Sequence, residues 1–146
     1  MRTLIAIDPG TATTGFAFLQ QKRDAVHLLD YGCIITSPKL ALPKRLQIIA
    51  ADLRKLIQLY HPKEMAVEQL FFAKNIKTAL AVGQARGVIL LLGAENKLKI
   101  SEYTPLQIKQ ALTGYGKADK RQIQLMVKTR LHLKTIPEPD DAADAI

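Results

Sequence analysis

Apolar positions recur along the chain in two periods, and the switches between them mark the elements. Thr3–Ile7 is a short, continuously apolar run that ends in the turn signal Asp8-Pro9-Gly10, as expected of a central strand buried on both faces. Gly15–Gln20 alternates weakly and predicts a second strand. Val26–Thr36 predicts a third, with a bulge or bend at Tyr31-Gly32. The short turns between them imply an antiparallel meander. From Pro43 to Tyr60 the period changes: Leu46, Ile49, Ala50, Leu53, Leu56, Ile57 and Tyr60 fall on one helical face, and His61-Pro62 ends the helix. Met65–Glu68 predicts a short buried fourth strand, Asn75–Glu95 a long helix and Leu98–Tyr103 a fifth strand. In the long helix Ala79, Gly83 and Gly87 sit four apart and form a smooth stripe suited to close packing. Thr104-Pro105-Leu106-Gln107 is a capping-box signal for a helix running to about Leu112. A glycine-containing loop at Thr113–Lys117 follows, then a helix over Ala118–Leu133. Pro137–Pro139 separates that helix from a last helical start at Asp140, the natural N-cap.

The resulting order, β-β-β-α-β-α-β-α-α-α, predicts an α/β domain with a mixed five-stranded sheet, helices on both faces, and parallel pairing near the first strand. With 146 residues, 48% of them apolar, and no repeat or linker, residues 1–146 read as one domain. No continuous apolar run approaches the ~18 residues of a membrane span, and no signal peptide is expected. Cys33 is the only cysteine, which excludes internal disulfides and cysteine-based zinc patterns and fits a reducing cytoplasm.

Charge narrows the function. The net charge of +8, from 21 Lys/Arg against 13 Asp/Glu, points to a polyanion such as nucleic acid, although a basic surface can also be inert. Yet Glu138, Asp140, Asp141 and Asp144 crowd the last nine residues. Asp8 and Glu68 each end an apolar strand on its carboxyl side, where α/β sheets gather ligands. Taken singly, Asp8 fits an Asx-turn and Glu68 a surface salt bridge. Asp141 and Asp144 share one face of the last helical start, where like charges repel unless a cation lies between them. Four carboxylates on three elements, with no cysteine or well-spaced histidine among them, suit Mg²⁺ or Mn²⁺. Two such ions can activate a water and stabilise the leaving oxygen of a phosphodiester. Basic charge around an acidic metal site is the expected make-up of a nuclease. Directly after Glu68 come Phe71, Phe72 and Lys74, of which Phe71 is the candidate to stack on or wedge between bases. Lys109, Lys117, Lys120 and Arg121 form a basic group around Gly114-Tyr115-Gly116, suited to phosphate contact or else to plain solvation. His27, His61 and His132 read as structural or surface residues, Cys33 as a small buried hydrophobe, and Asp24 and Asp30 as solvent-facing.

Ile7-Asp8-Pro9-Gly10, Glu68-Gln69 with Phe71 and Ala73-Lys74-Asn75, Gly83-Gln84-Ala85-Arg86-Gly87, and Asp141-Ala142-Ala143-Asp144-Ala145 occur in an order and spacing that resembles the RuvC family of bacterial crossover-junction endodeoxyribonucleases, the Holliday junction resolvases. The resemblance covers essentially the whole chain. It implies an RNase H-like fold, a homodimer, and paired Mg²⁺-dependent nicks in opposed strands of a four-way DNA junction during recombination and repair. On this resemblance Asp8, Glu68, Asp141 and Asp144 match the catalytic acids, holding two Mg²⁺ that Mn²⁺ can replace. Asp140 is an extra acid, and Asp141 stands where some relatives carry His. Phe71 matches the aromatic near the crossover, and Lys109 and Lys120 match basic DNA-binding positions. The helix with Gly83 and Gly87 matches the dimer-forming helix. Implied partners are the Ruv junction-binding and branch-migration proteins. Two other readings compete. Thr11, Thr13 and Thr14 resemble the first phosphate loop of actin-like and sugar-kinase ATPases, which need a second domain. A non-catalytic nucleic-acid module on the same fold would gain nothing from four phosphate-repelling acids. Asp140–Ile146 amounts to at most two helical turns, too few to be stable alone. The expectation is therefore a native helix that continues further, with Asp141 and Asp144 mobile or displaced and metal weakly held in the chain as it stands.

Overall fold

Among the described residues the elements follow the order expected from the periodicities: β1 (Arg2–Asp8), β2 (Thr13–Lys22), β3 (Ala25–Ile35), α1 (Leu42–Tyr60), β4 (Glu64–Glu68), α2 (Ile76–Glu95), β5 (Lys99–Tyr103), α3 (Pro105–Thr113), α4 (Lys120–Arg130) and α5 (Asp140–Ala143). The computed structural model describes residues 2–23, 25–69 and 76–146, the side chains of Asp140 and Asp141 excepted. The strands form one sheet in the order β3-β2-β1-β4-β5, with β1 antiparallel to β2, β2 antiparallel to β3, and β1, β4 and β5 parallel.

Alternation along the strands divides the side chains between two unequal faces. Ile5 pairs with Phe18 and Met65, and Ile7 with Phe16 and Val67. Their side chains are buried with Ile49, Leu53 and Ile57 of α1 and Ala85, Ile89 and Leu92 of α2. Gly93 brings α2 close to the sheet: a Cβ there would lie 2.7 Å from Met65 Sδ and 3.0 Å from Ile100 Cδ1. The opposite face is built from small residues. Ala6 lies between Ala17 and Ala66, and Asp8 faces Gly15. This flat strip lets α5 pack on β2 and β3 with Ala142, Ala143 and Ala145 buried. Leu4 and Ala6 are only half-buried, so β1 is central in the sheet but thickly covered on one face alone.

Several details depart from the sequence reading. The register shift lies where Phe18 faces Asp30 and Leu19 faces Leu28, which makes Leu29 the extra residue rather than Tyr31-Gly32. Gly32 instead makes room for the Phe16 ring, whose Cζ would lie 3.0 Å from an added Cβ. α4 begins at Lys120 rather than Ala118, because Asp119 caps it with a full capping box. Asp140 is the first residue of α5, not its cap, since the Pro139 carbonyl accepts from the Ala142 and Ala143 N–H groups. Asp30 faces inward: it accepts from the Tyr60 hydroxyl at 2.7 Å, and the Tyr60 ring stacks on Phe18. Cys33 is half-buried. Asp24 lies outside the described residues. By length and composition α2 could cross a membrane, although no continuous apolar run is that long. Here one of its faces is buried in the core, and Arg86 on it forms an ion pair with Glu102 of β5.

Candidate active site

Parallel pairing of β1 with β4 sets the geometry. Ile7 lies opposite Val67, so the next residue on each strand brings Asp8 beside Glu68 on the small-residue face. Neighbouring strands are about 4.8 Å apart, within reach of two carboxyl groups. Burial, the Asp8 charge, a hydrogen bond to Asp8 and the Asp144 charge push the Glu68 carboxyl from 4.5 up to about 7, against a smaller opposing pull from Lys109. Near neutrality Glu68 therefore resists adding a second negative charge beside Asp8.

The β1–β2 turn that carries Asp8 is tied on several sides. A Cβ on Gly10 would fall 2.1 Å from the Thr13 carbonyl oxygen, so the turn closes only with glycine there. The buried Thr14 hydroxyl donates to the Gly10 carbonyl at 2.6 Å, and the Thr36 N–H to the Ala12 carbonyl at 3.0 Å. The buried Thr36 hydroxyl donates to the Thr11 carbonyl and accepts from Arg45 Nε at 2.8 Å. Arg45 reads in the sequence as part of a solvated helix face. Nothing local shows that it reaches the end of β3.

Asp144 arrives from α5. Its carboxylate meets Lys120 Nζ at 3.3 Å and faces the Asp8–Glu68 pair across a cleft of about 500 Å³. Lys109 and Lys120 line the same cleft, while Tyr103, Ile108, Ile123 and Val127 form an apolar wall that the sequence reading missed. Periodicity marks those residues as apolar without saying which cleft they face. The basic group thus divides: Lys109 and Lys120 line the cleft, while Lys117 and Arg121 are exposed and do not line it. Phe71 and Lys74 lie outside the described residues, as does the Asp141 side chain. Ala79, Gly83 and Gly87 do share α2, and a Cβ on either glycine would meet nothing within 4 Å.

The donors fit a hard divalent cation, being carboxylate oxygens held together in spite of their repulsion. Among the described residues, no three acidic, histidine or cysteine side chains gather closely enough to enclose an ion. Asp8, Glu68 and Asp144 line one cleft, and the Asp141 side chain lies outside the described residues.

The family model of the crossover junction endodeoxyribonuclease RuvC matches residues 4–146. The chain belongs to the RuvC family. Its similarity to the RuvC of Halothermothrix orenii is 53% identity over 143 residues, covering 98% of this chain and 87% of that one. A Thermus thermophilus RuvC solved with a Holliday junction substrate superposes with a TM-score of 0.93 at 34% identity, over 99% of this chain and 88% of that one. The yeast mitochondrial Holliday junction resolvase Ydc2, at 14% identity and a TM-score of 0.65 over 97% of this chain and 75% of that one, shares the fold. The expectation of an RNase H-like resolvase fold is therefore met, and the chain is a nuclease of the RuvC type.

Proposed function

We propose that the chain resolves four-way DNA junctions by hydrolysing one phosphodiester in each of two opposed strands. The observation that carries this reading is the pairing of Asp8 with Glu68 at the carboxyl ends of two parallel strands, where burial and the Asp8 charge raise the Glu68 carboxyl to about 7. Asp8, Glu68, Asp141 and Asp144 would hold two Mg²⁺, or Mn²⁺ in their place, and Asp140 would not be a ligand. Bound ions would supply an activated water and charge neutralisation at the leaving oxygen. The remaining tasks fall to the chain itself. Lys109, already close enough to act on Glu68, places positive charge where the scissile phosphate enters. Lys120 pairs with Asp144 and would turn to phosphate once Asp144 takes a ligand role. The wall at Ile108, Ile123 and Val127 limits water around the reacting phosphate. Phe71 is assigned to the crossover as a wedge, and Lys74, Lys117 and Arg121 to flanking phosphates.

Two nicks in opposed strands require two sites related by symmetry, hence a homodimer. The outward face of α2 supports it: Ile76, Leu80 and Leu91 are exposed in line with Gly83 and Gly87, leaving an apolar strip with a shallow centre. The Ruv junction-binding and branch-migration proteins are the assigned partners, in the cytoplasm.

The test is a labelled four-way junction incubated with the protein, with and without Mg²⁺. Nicked duplexes with ligatable ends, formed only with the metal, are expected. Binding without cleavage in Mg²⁺ would favour a non-catalytic module, and ATP turnover would favour the kinase-like alternative.

A further inference from the structure

Tyr115 occupies the loop between α3 and α4, and the residue is 55% exposed. The loop beneath it is fixed on every side. Gly114, at φ +70°, donates its N–H to the Gln110 carbonyl at 2.8 Å and ends α3. The Thr113 hydroxyl lies 2.8 Å from both the Lys109 and Tyr115 carbonyls and accepts from the Tyr115 N–H at 3.2 Å. Gly116 lies so close to α3 that a Cβ would fall 2.5 Å from Leu106 Cδ1, and Ala118 is buried. The backbone is thus anchored on both sides of a ring turned outward, whose hydroxyl has no hydrogen bond among the described residues.

Its surroundings indicate what meets it. Lys117 and Arg121, two and six residues further along the chain, are exposed and form no ion pair among the described residues. Asp119, the nearby acid, is committed to the Gln122 N–H as the cap of α4, so that helix end offers no anion site of its own. Both helices that frame the loop line the cleft, α3 with Lys109 and α4 with Lys120. Lys109 precedes the end of α3 at Thr113 by four residues, about 6 Å of helical rise, and Tyr115 follows two residues further on. At the ~3.4 Å spacing of a DNA strand, that is about two or three nucleotides. A fixed, exposed ring followed along the chain by exposed cations suits a strand whose charge meets the cations while a base meets the ring.

Building on the junction-resolving function proposed above, we propose that Tyr115 is a second aromatic contact to the DNA. Its ring stacks on a nucleobase two or three nucleotides from the phosphate in the cleft, with Lys117 and Arg121 on the flanking phosphates.

The experiment measures binding of a fluorescent four-way junction and of a linear duplex across a salt series in metal-free buffer. Tyr115→Ala should weaken junction binding by about tenfold at every salt concentration, since a stacking contact releases no counterions. Tyr115→Phe should bind like the parent, whereas Lys117→Ala should lower the salt slope by about one. Parental junction affinity in Tyr115→Ala would overturn the inference. So would equal losses in Tyr115→Phe and Tyr115→Ala, or an equal loss on linear duplex, which would assign the contact to the hydroxyl or to ordinary backbone. If the parent chain itself binds no junction, the functional reading fails and takes this inference with it.

Discussion

Replacing Glu68 with Gln should make the apo protein more stable at neutral and alkaline pH while destroying its activity. The side chain keeps its shape and can still donate to Asp8, but it no longer brings a second charge. Glu68 is raised from 4.5 to about 7, so between those values the folded chain holds a proton that the unfolded chain has lost. Stability must then fall as pH rises through this window, the reverse of an ordinary salt-bridged carboxylate. Unscreened, the displacement amounts to about 3 kcal/mol; Glu68 is only half-buried, and solvent screening reduces it to about 1–2 kcal/mol. The assay is urea unfolding in metal-free buffer at a series of pH values. The parent should lose about 1–2 kcal/mol between pH 4.5 and about 8 relative to Glu68→Gln, whose profile lacks this component. Adding Mg²⁺ at the alkaline end should restore stability to the parent alone, because the ion takes over from the proton. Parallel profiles for the two proteins would refute the argument and leave the Asp8–Glu68 pair without its electrostatic tension.

The same site predicts that Asp8→Asn, Asp141→Asn and Asp144→Asn each lose nearly all cleavage but keep junction binding in a gel-shift assay, while Asp140→Asn keeps most activity. A dead Asp140→Asn with an active Asp141→Asn would shift the ligand register by one. Thr36→Val should lower stability by about 1–3 kcal/mol in thermal unfolding, because it strands the buried Thr11 carbonyl and the Arg45 donor, whereas Thr36→Ser should recover most of the loss. Gly83→Arg meets open space in one chain and should leave the melting temperature unchanged while dissociating the dimer in sedimentation; an unchanged dimer would place the interface elsewhere.

Much of the fold was legible because its signals are local. The capping box at Thr104, the His61-Pro62 stop and the change of hydrophobic period each act within a few residues. The candidate acids could be proposed from the sequence because each sits at a strand end or in the last short helical segment. Where the local signal was weak, the reading slipped. Asp119 outcompeted Ala118 as the start of α4, and Gly32 proved to be space for a ring rather than a bend. Contacts between distant segments left no local trace: Asp30 with Tyr60, Arg45 with Thr36, and Lys120 with Asp144, which are 30, 9 and 24 residues apart. Composition could supply the carboxylates and the surplus of cations, but only the parallel register of β1 and β4 placed Asp8 against Glu68. Only the strip of Ala6, Ala17 and Gly15 let the short α5 settle on the sheet and carry Asp144 to the cleft. A seven-residue segment has too few hydrogen bonds of its own to hold a helix, so burial of Ala142, Ala143 and Ala145 against distant strands decides where its acids lie.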